Sequence, residues 1–159
     1  MRDDWDERVD AVWSTAAQRS EDDVLAAILE LADERPERDA DGLFERASAY
    51  DYVGREAEAE PYYRAALDAG LTGDRRPRAL IQLASTLRNL GRAAEGADLL
   101  RSEVGDEGLA DVRAAFLALT LLDAGRPDEA VARALLALAR HLPEYRRAVT
   151  YYADELLER

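Results

Sequence analysis

The most informative cluster of polar side chains in this 159-residue chain is Arg78, Gln82, Ser85, Arg88 and Asn89. Offsets of four, three, three and one keep most of them on one broad helical face. The set is rich in donors, suited to a carboxylate, a phosphate or the backbone of a partner peptide. A second reading is internal: Arg88 pairs with Glu45 or Asp51 of the preceding helical unit and fixes the geometry between units. The internal pair is favoured for Arg88, and the patch stands as the binding-site candidate. Breaking such a pair, if buried, costs roughly 3–5 kcal/mol.

Residue types that carry bond chemistry are scarce. His141 is the one histidine, it lies near a helix C-terminus, and no serine or carboxylate accompanies it at motif spacing. The absence of cysteine removes disulfides, thiolate nucleophiles and cysteine-ligated metals. The glycines end helices instead of following strands, so no nucleotide loop is present. Acid pairs such as Glu56/Glu60 and Glu155/Glu158 have ordinary surface spacing. The runs Asp3-Asp4-Asp6 and Glu21-Asp22-Asp23 lack a calcium-loop pattern. The expectation is a chain with no catalytic residues, no metal and no cofactor.

Charge narrows the partners. The 34 acidic residues outnumber 21 basic ones for a net of −13, and every basic residue is arginine. Residues 1–41 carry fourteen acids and five arginines, so most of the excess sits at the front. Long-range repulsion disfavours nucleic acid and anionic membranes. The N-terminus has no apolar run behind a basic start, and no stretch reaches the roughly 20 apolar residues of a membrane span. A cytoplasmic location is expected.

The elements that position these residues are helical. Alanine and leucine fill 54 positions, and no strand pattern of useful length exists. Trp5, Val9, Val12, Trp13 and Ala16 form the stripe of a first helix, with both tryptophans sealing it. Ser20 caps a second helix that Pro36 limits, and Asp41 opens a third. The spacing predicts helices over 3–18, 20–35, 41–53, 56–69, 77–90, 93–103, 109–124, 127–141 and 144–157. A linker runs through 72–77.

Three segments repeat: Gly54-Arg55-Glu56-Ala57-Glu58-Ala59, Gly91-Arg92-Ala93-Ala94-Glu95-Gly96 and Gly125-Arg126-Pro127-Asp128-Glu129-Ala130. Their intervals of 37 and 34 residues point to stacked helical hairpins. Ala47, Ala84 and Ala118 stand seven residues before the glycines, and Tyr50, Leu87 and Leu121 stand four before. Ala59, Gly96 and Ala130 follow the turns, then Tyr63, Leu100 and Ala134. Each glycine sits where a helix ends in a sharp turn, calling for positive φ.

The pattern resembles the tetratricopeptide repeat, whose eighth and twentieth positions are small, as are Ala47/Ala59, Ala84/Gly96 and Ala118/Ala130. Residues 40–152, above all Leu87-Arg88-Asn89-Leu90-Gly91-Arg92, are similar to a bacterial tetratricopeptide-repeat family of unassigned function. The resemblance implies an all-α, right-handed antiparallel helical-hairpin array in one domain. That domain comprises an N-terminal helical pair at 1–39, three repeats at 40–142 and a capping helix at 143–159. It further implies a concave groove lined by the first helix of each repeat. The groove positions transfer to Asp41, Phe44, Ser48, Asp51 and Tyr52, then to Arg78, Ile81, Ser85, Arg88 and Asn89. In the third repeat they are Val112, Ala115, Leu119, Leu122 and Asp123. The carboxylate-clamp subclass uses lysine and asparagine where this chain has Phe44 and Ser48. The expected ligand is a protein or peptide segment, contacted by Asp51, Tyr52, Arg78, Gln82, Ser85, Arg88 and Asn89. The alternative is a homodimer associating through the ends of the array.

Overall fold

The computed structural model describes residues 4–102 and 107–158. Among them run nine α-helices: α1 (Asp4–Ser14), α2 (Glu21–Asp33), α3 (Ala40–Tyr52), α4 (Glu56–Asp68), α5 (Arg75–Asn89), α6 (Ala93–Ser102), α7 (Ala110–Asp123), α8 (Pro127–Ala139) and α9 (Arg146–Leu157). Successive helices pack as hairpins, from α1 to α4 and again from α6 to α9, giving an all-α repeat array. Contacts divide the chain into two units, Met1–Thr86 and Leu87–Arg159, with the boundary inside α5. No helix among the described residues is long and apolar enough to cross a membrane.

The expected helices form, with differences at their ends. Asp3 and residue 103, taken as helix ends from the sequence, lie outside the described residues. The first helix stops at Ser14 because the Ser14 and Thr15 hydroxyls both donate back to the Ala11 carbonyl, competing with the helical ladder. A 3-10 turn at Ala16–Gln18 carries the chain to Ser20, whose hydroxyl accepts from the Asp23 N–H at 3.1 Å and caps α2 as expected. The cap of α3 is Asp39 and not Asp41, since the Asp39 carboxylate accepts from the Gly42 N–H at 2.9 Å. Arg75 and Arg76, expected in the linker, form the first turn of α5 together with Pro77, where a missing N–H breaks no bond.

The three repeated turns share one hydrogen-bond pattern. Gly54, Gly91 and Gly125 have φ of 71°, 79° and 75°, the left-handed conformation that favours glycine. The following N–H groups of Arg55, Arg92 and Arg126 donate to the carbonyls of Tyr50, Leu87 and Leu121 at 2.8–2.9 Å, closing each helix with a Schellman turn. Each of those arginines then pairs with the glutamate three residues on, Glu58, Glu95 or Glu129. The glutamate stands in the first turn of the next helix, where the dipole favours a carboxylate. The Gly-Arg-x-x-Glu repeat is therefore a complete helix-to-helix joint. Ala47, Ala84 and Ala59 are wholly buried, and Ala130 nearly so. The third repeat departs from the pattern: Ala134 is exposed where Tyr63 and Leu100 are buried.

Candidate functional site

In the unit up to Thr86, the side chains between α1, α3 and α5 are tied by a polar network. Glu45 is only 3% exposed, accepts from the Trp13 indole N–H at 2.8 Å and pairs with Arg75 at 3.0 Å. Arg75 also reaches Asp6 at 2.9 Å and Asp41 at 3.5 Å, and its guanidinium lies 5.4 Å from the centre of the Trp5 ring. Burial pushes the Glu45 carboxyl above its ordinary range, against the opposing pull of Trp13 and Arg75. The tryptophans do seal the first helix, and Trp5 does so with its N–H on the Leu31 carbonyl at 2.8 Å. Trp13 goes further, linking α1 to α3 through Glu45 and through edge-to-face contact with Tyr52.

Arg75 reaches Asp41 and Glu45 near the start of α3, while Thr86 donates to Asp51 near its end at 3.3 Å. These two helices therefore run in the same direction, as first helices of successive repeats must. Asp51, a groove candidate, has its oxygens taken up inside the fold: one accepts from Thr86 and the other from the buried Tyr63 hydroxyl at 3.1 Å. Burial raises the Asp51 carboxyl above its ordinary range, and burial likewise lifts the Tyr63 phenol far above its own. Phe44 and Ser48, two further groove positions, are buried. Tyr52 is 41% exposed, with one side on Trp13 and the rest of the ring in solvent.

The candidates on α5 separate into two groups. Arg78 is exposed and has no ion pair among the described residues. Gln82, one turn later, has its carbonyl oxygen buried without a partner, and Ser85 is half-buried. Arg88 is different. Its Nε donates to Asp123 on α7 at 2.5 Å, which corrects the expected pairing with Glu45 or Asp51. Those two carboxylates are engaged by Arg75, Trp13, Tyr63 and Thr86 instead. Asn89 is exposed and engaged within the fold. Because the Arg88 and Asp123 side chains are 30% and 43% exposed, solvent screens the pair. Arg88→Ala is expected to cost less than about 1 kcal/mol. A thermal melt shifted by under about 4 °C checks it, and a drop beyond about 10 °C would restore a buried role.

Sequence reasoning missed Arg75 by assigning it to a linker. The available signal was Asp41 and Glu45, four residues apart and hence on one face of α3, which calls for a cation opposite. In the unit from Leu87 onward, His141 also has a partner: its Nε2 lies 2.7 Å from the Asp111 carboxylate, which Arg140 shares. Those neighbours hold Asp111 below the usual carboxylate range. The pair is exposed and staples the start of α7 to the end of α8.

Among the described residues no group of three or more histidines, cysteines, aspartates or glutamates is arranged to hold a metal ion. The candidate site is made of donors, an exposed aromatic ring and packed helices. No curated protein and no solved structure matches the chain. Residues 40–156 match the Tetratrico peptide repeat family, a class of non-catalytic scaffolds generally associated with protein–protein interaction, and the match names no narrower family. The Schellman turns, the paired small residues and this match over most of its length agree, and the chain belongs to the Tetratrico peptide repeat family.

Proposed function

We propose that the protein is a binding scaffold whose α5 surface, centred on Arg78, receives an acidic segment of another protein. The observation that carries this reading is a local reversal of charge. In a chain of net −13, α5 holds four arginines and no acid, whereas each of the other eight described helices contains at least one. Three of the four are occupied: Arg75 by Asp6, Asp41 and Glu45, Arg88 by Asp123, and Arg76 within the fold. That leaves Arg78 as a solvent-facing cation with unspent hydrogen-bonding capacity. Gln82 and Ser85 supply neutral polar groups along the same helix, and the exposed ring of Tyr52 on α3 offers an amphipathic contact of the kind enriched at interfaces. A guanidinium reads a carboxylate in two parallel bonds, so the ligand is recognised by charge and geometry together.

The test is selection of a random-peptide library on the immobilised protein. Peptides enriched in Asp and Glu are expected, with affinity reduced about tenfold by Arg78→Ala, the worth of one charge-assisted contact. The melting temperature should not change, since Arg78 holds nothing else in place. Peptides without an acidic bias, or equal binding by Arg78→Ala, would overturn the reading.

A further inference from the structure

We propose that the protein forms a two-fold dimer in which α9 lies antiparallel to α9 of a second copy. One side of α9 packs on α8, with Ala153 wholly buried and Val149 and Leu156 half-buried. The opposite side faces solvent and carries Tyr151, 60% exposed, while Tyr152, 61% exposed, stands on a neighbouring flank with its ring edge to face on Tyr151. An open cleft of about 770 Å³ runs along it, lined by Tyr145, Arg147, Thr150, Tyr151 and Asp154 among others. Tyr145 is 79% exposed and is held at φ 60°, a left-handed conformation costly for a bulky residue. So much exposed aromatic surface on one helix marks an interaction face.

Charge identifies the occupant. The first turn of α9 has Arg146 and Arg147 and no acid, and its last turn has acids and no base. This order opposes the helix's own dipole, which favours acids first and bases last. A local rule broken on an exposed face calls for a compensating gain elsewhere. An antiparallel second copy of α9 supplies it, because every basic end then meets an acidic one. Arg147 and Asp154 are the central pair: both line the cleft and neither has a recorded partner among the described residues. They lie seven residues apart, so they share a face across two turns and stand about 10 Å apart along the axis. A two-fold axis passing between Thr150 and Tyr151 sets Arg147 of each copy against Asp154 of the other. Tyr151 then crosses the axis, giving the interface an aromatic centre.

The alternative of head-to-tail association needs a complementary apolar face elsewhere. Exposed apolar side chains do stand on α7 and α8, among them Leu119, Leu122 and Leu138, but the first turns of those helices carry acids in accord with their dipoles and lack the inverted charge order of α9. A closed, isologous contact through α9 is the arrangement that its charge order favours. A single helix face buries less than a standard interface, which makes the dimer a micromolar to submillimolar one.

Sedimentation equilibrium of the full chain from micromolar to millimolar concentration tests the proposal. A monomer–dimer equilibrium is expected. Arg147→Glu and Asp154→Arg, each alone, should weaken dimerisation at least about tenfold by setting like charges against each other twice. Mixing the two variants in equal amounts should restore it, because both cross pairs are then opposite in sign. Circular dichroism of each variant checks that the helices are intact. If either variant fails to fold, Tyr151→Ala replaces it and should also abolish association. A monomer throughout the range overturns the proposal, as does a dimer indifferent to charge reversal, and as does failure of the mixture to associate.

Discussion

Glu45→Ala should lower the unfolding free energy by about 3–5 kcal/mol, the usual cost of removing one partner from a buried ion pair. For a chain of this size that is a fall of roughly 10 °C in melting temperature. The cost has several sources. Arg75 is left half-buried with only Asp6 and Asp41, and the Trp13 N–H loses its acceptor. Because Asp6 and Trp13 belong to α1, the first helix should loosen before the rest, visible as early exchange of its amide hydrogens. Glu45→Gln keeps an oxygen for Trp13 and should cost less. The pH dependence has a definite sign. Burial raises the folded-state carboxyl above its ordinary value of 4.5, so over the window just above 4.5 the folded chain binds a proton that the unfolded chain has released. The contribution of Glu45 to stability therefore declines as pH rises through that window, and Glu45→Gln abolishes the decline. Glu58, Asp111 and Glu129 are depressed and act in the opposite sense, losing their contribution as pH falls. They are common to both proteins, so the difference in urea midpoints between wild type and Glu45→Gln isolates Glu45.

Repeat architecture was legible because it is written in local chemistry. Glycine at a left-handed turn, alanine where helices touch and a large apolar residue one turn away are short-range requirements, and each shows in the sequence at fixed offsets. The same holds for the Ser20 cap and for Pro127 in the first turn of α8. Partner choice among charges was not legible. Arg75 and Arg88 both sit on α5 and look alike from sequence, yet one is half-buried against α1 and α3 and the other pairs with α7. Which carboxylate each meets depends on where helices cross, and neither periodicity nor composition encodes that. With 34 acids available, a guess at Glu45 or Asp51 for Arg88 had too many competitors. The role of α9 was hidden for a different reason. Its apolar residues read as a cap, and only their exposure shows that Tyr151 and Tyr152 are not spent on the core. The polarity of its charges was in the sequence throughout, but it acquires meaning only once the buried side is known.

Tyr63→Ala should be at least as damaging as Glu45→Ala, and its companion Tyr63→Phe should separate packing from hydrogen bonding. Tyr63 is fully buried in α4 and packs against Phe44 of α3 with ring centres 6.2 Å apart. Truncation to alanine removes the ring and leaves a cavity, for about 3–5 kcal/mol. It also removes the donor to Asp51, a half-buried carboxylate whose other partner is the Thr86 hydroxyl and not a cation. The phenylalanine variant keeps the packing and loses only that bond, for about 1–3 kcal/mol at neutral pH. The two costs differ in their response to acid. The Tyr63 hydroxyl stabilises the ionised form of Asp51, so deleting it raises a carboxyl that burial has already lifted above its ordinary value of 3.8. Below that folded-state value Asp51 is protonated and demands less of the missing donor. The penalty of Tyr63→Phe should therefore shrink as pH falls, whereas the cavity in Tyr63→Ala has no titrating group and its share of the loss persists. Urea titrations of both variants at neutral pH and near pH 4.5 read the difference. A phenylalanine penalty that is constant across that range would mean that Tyr63 contributes to the joint between α3 and α4 through its ring alone.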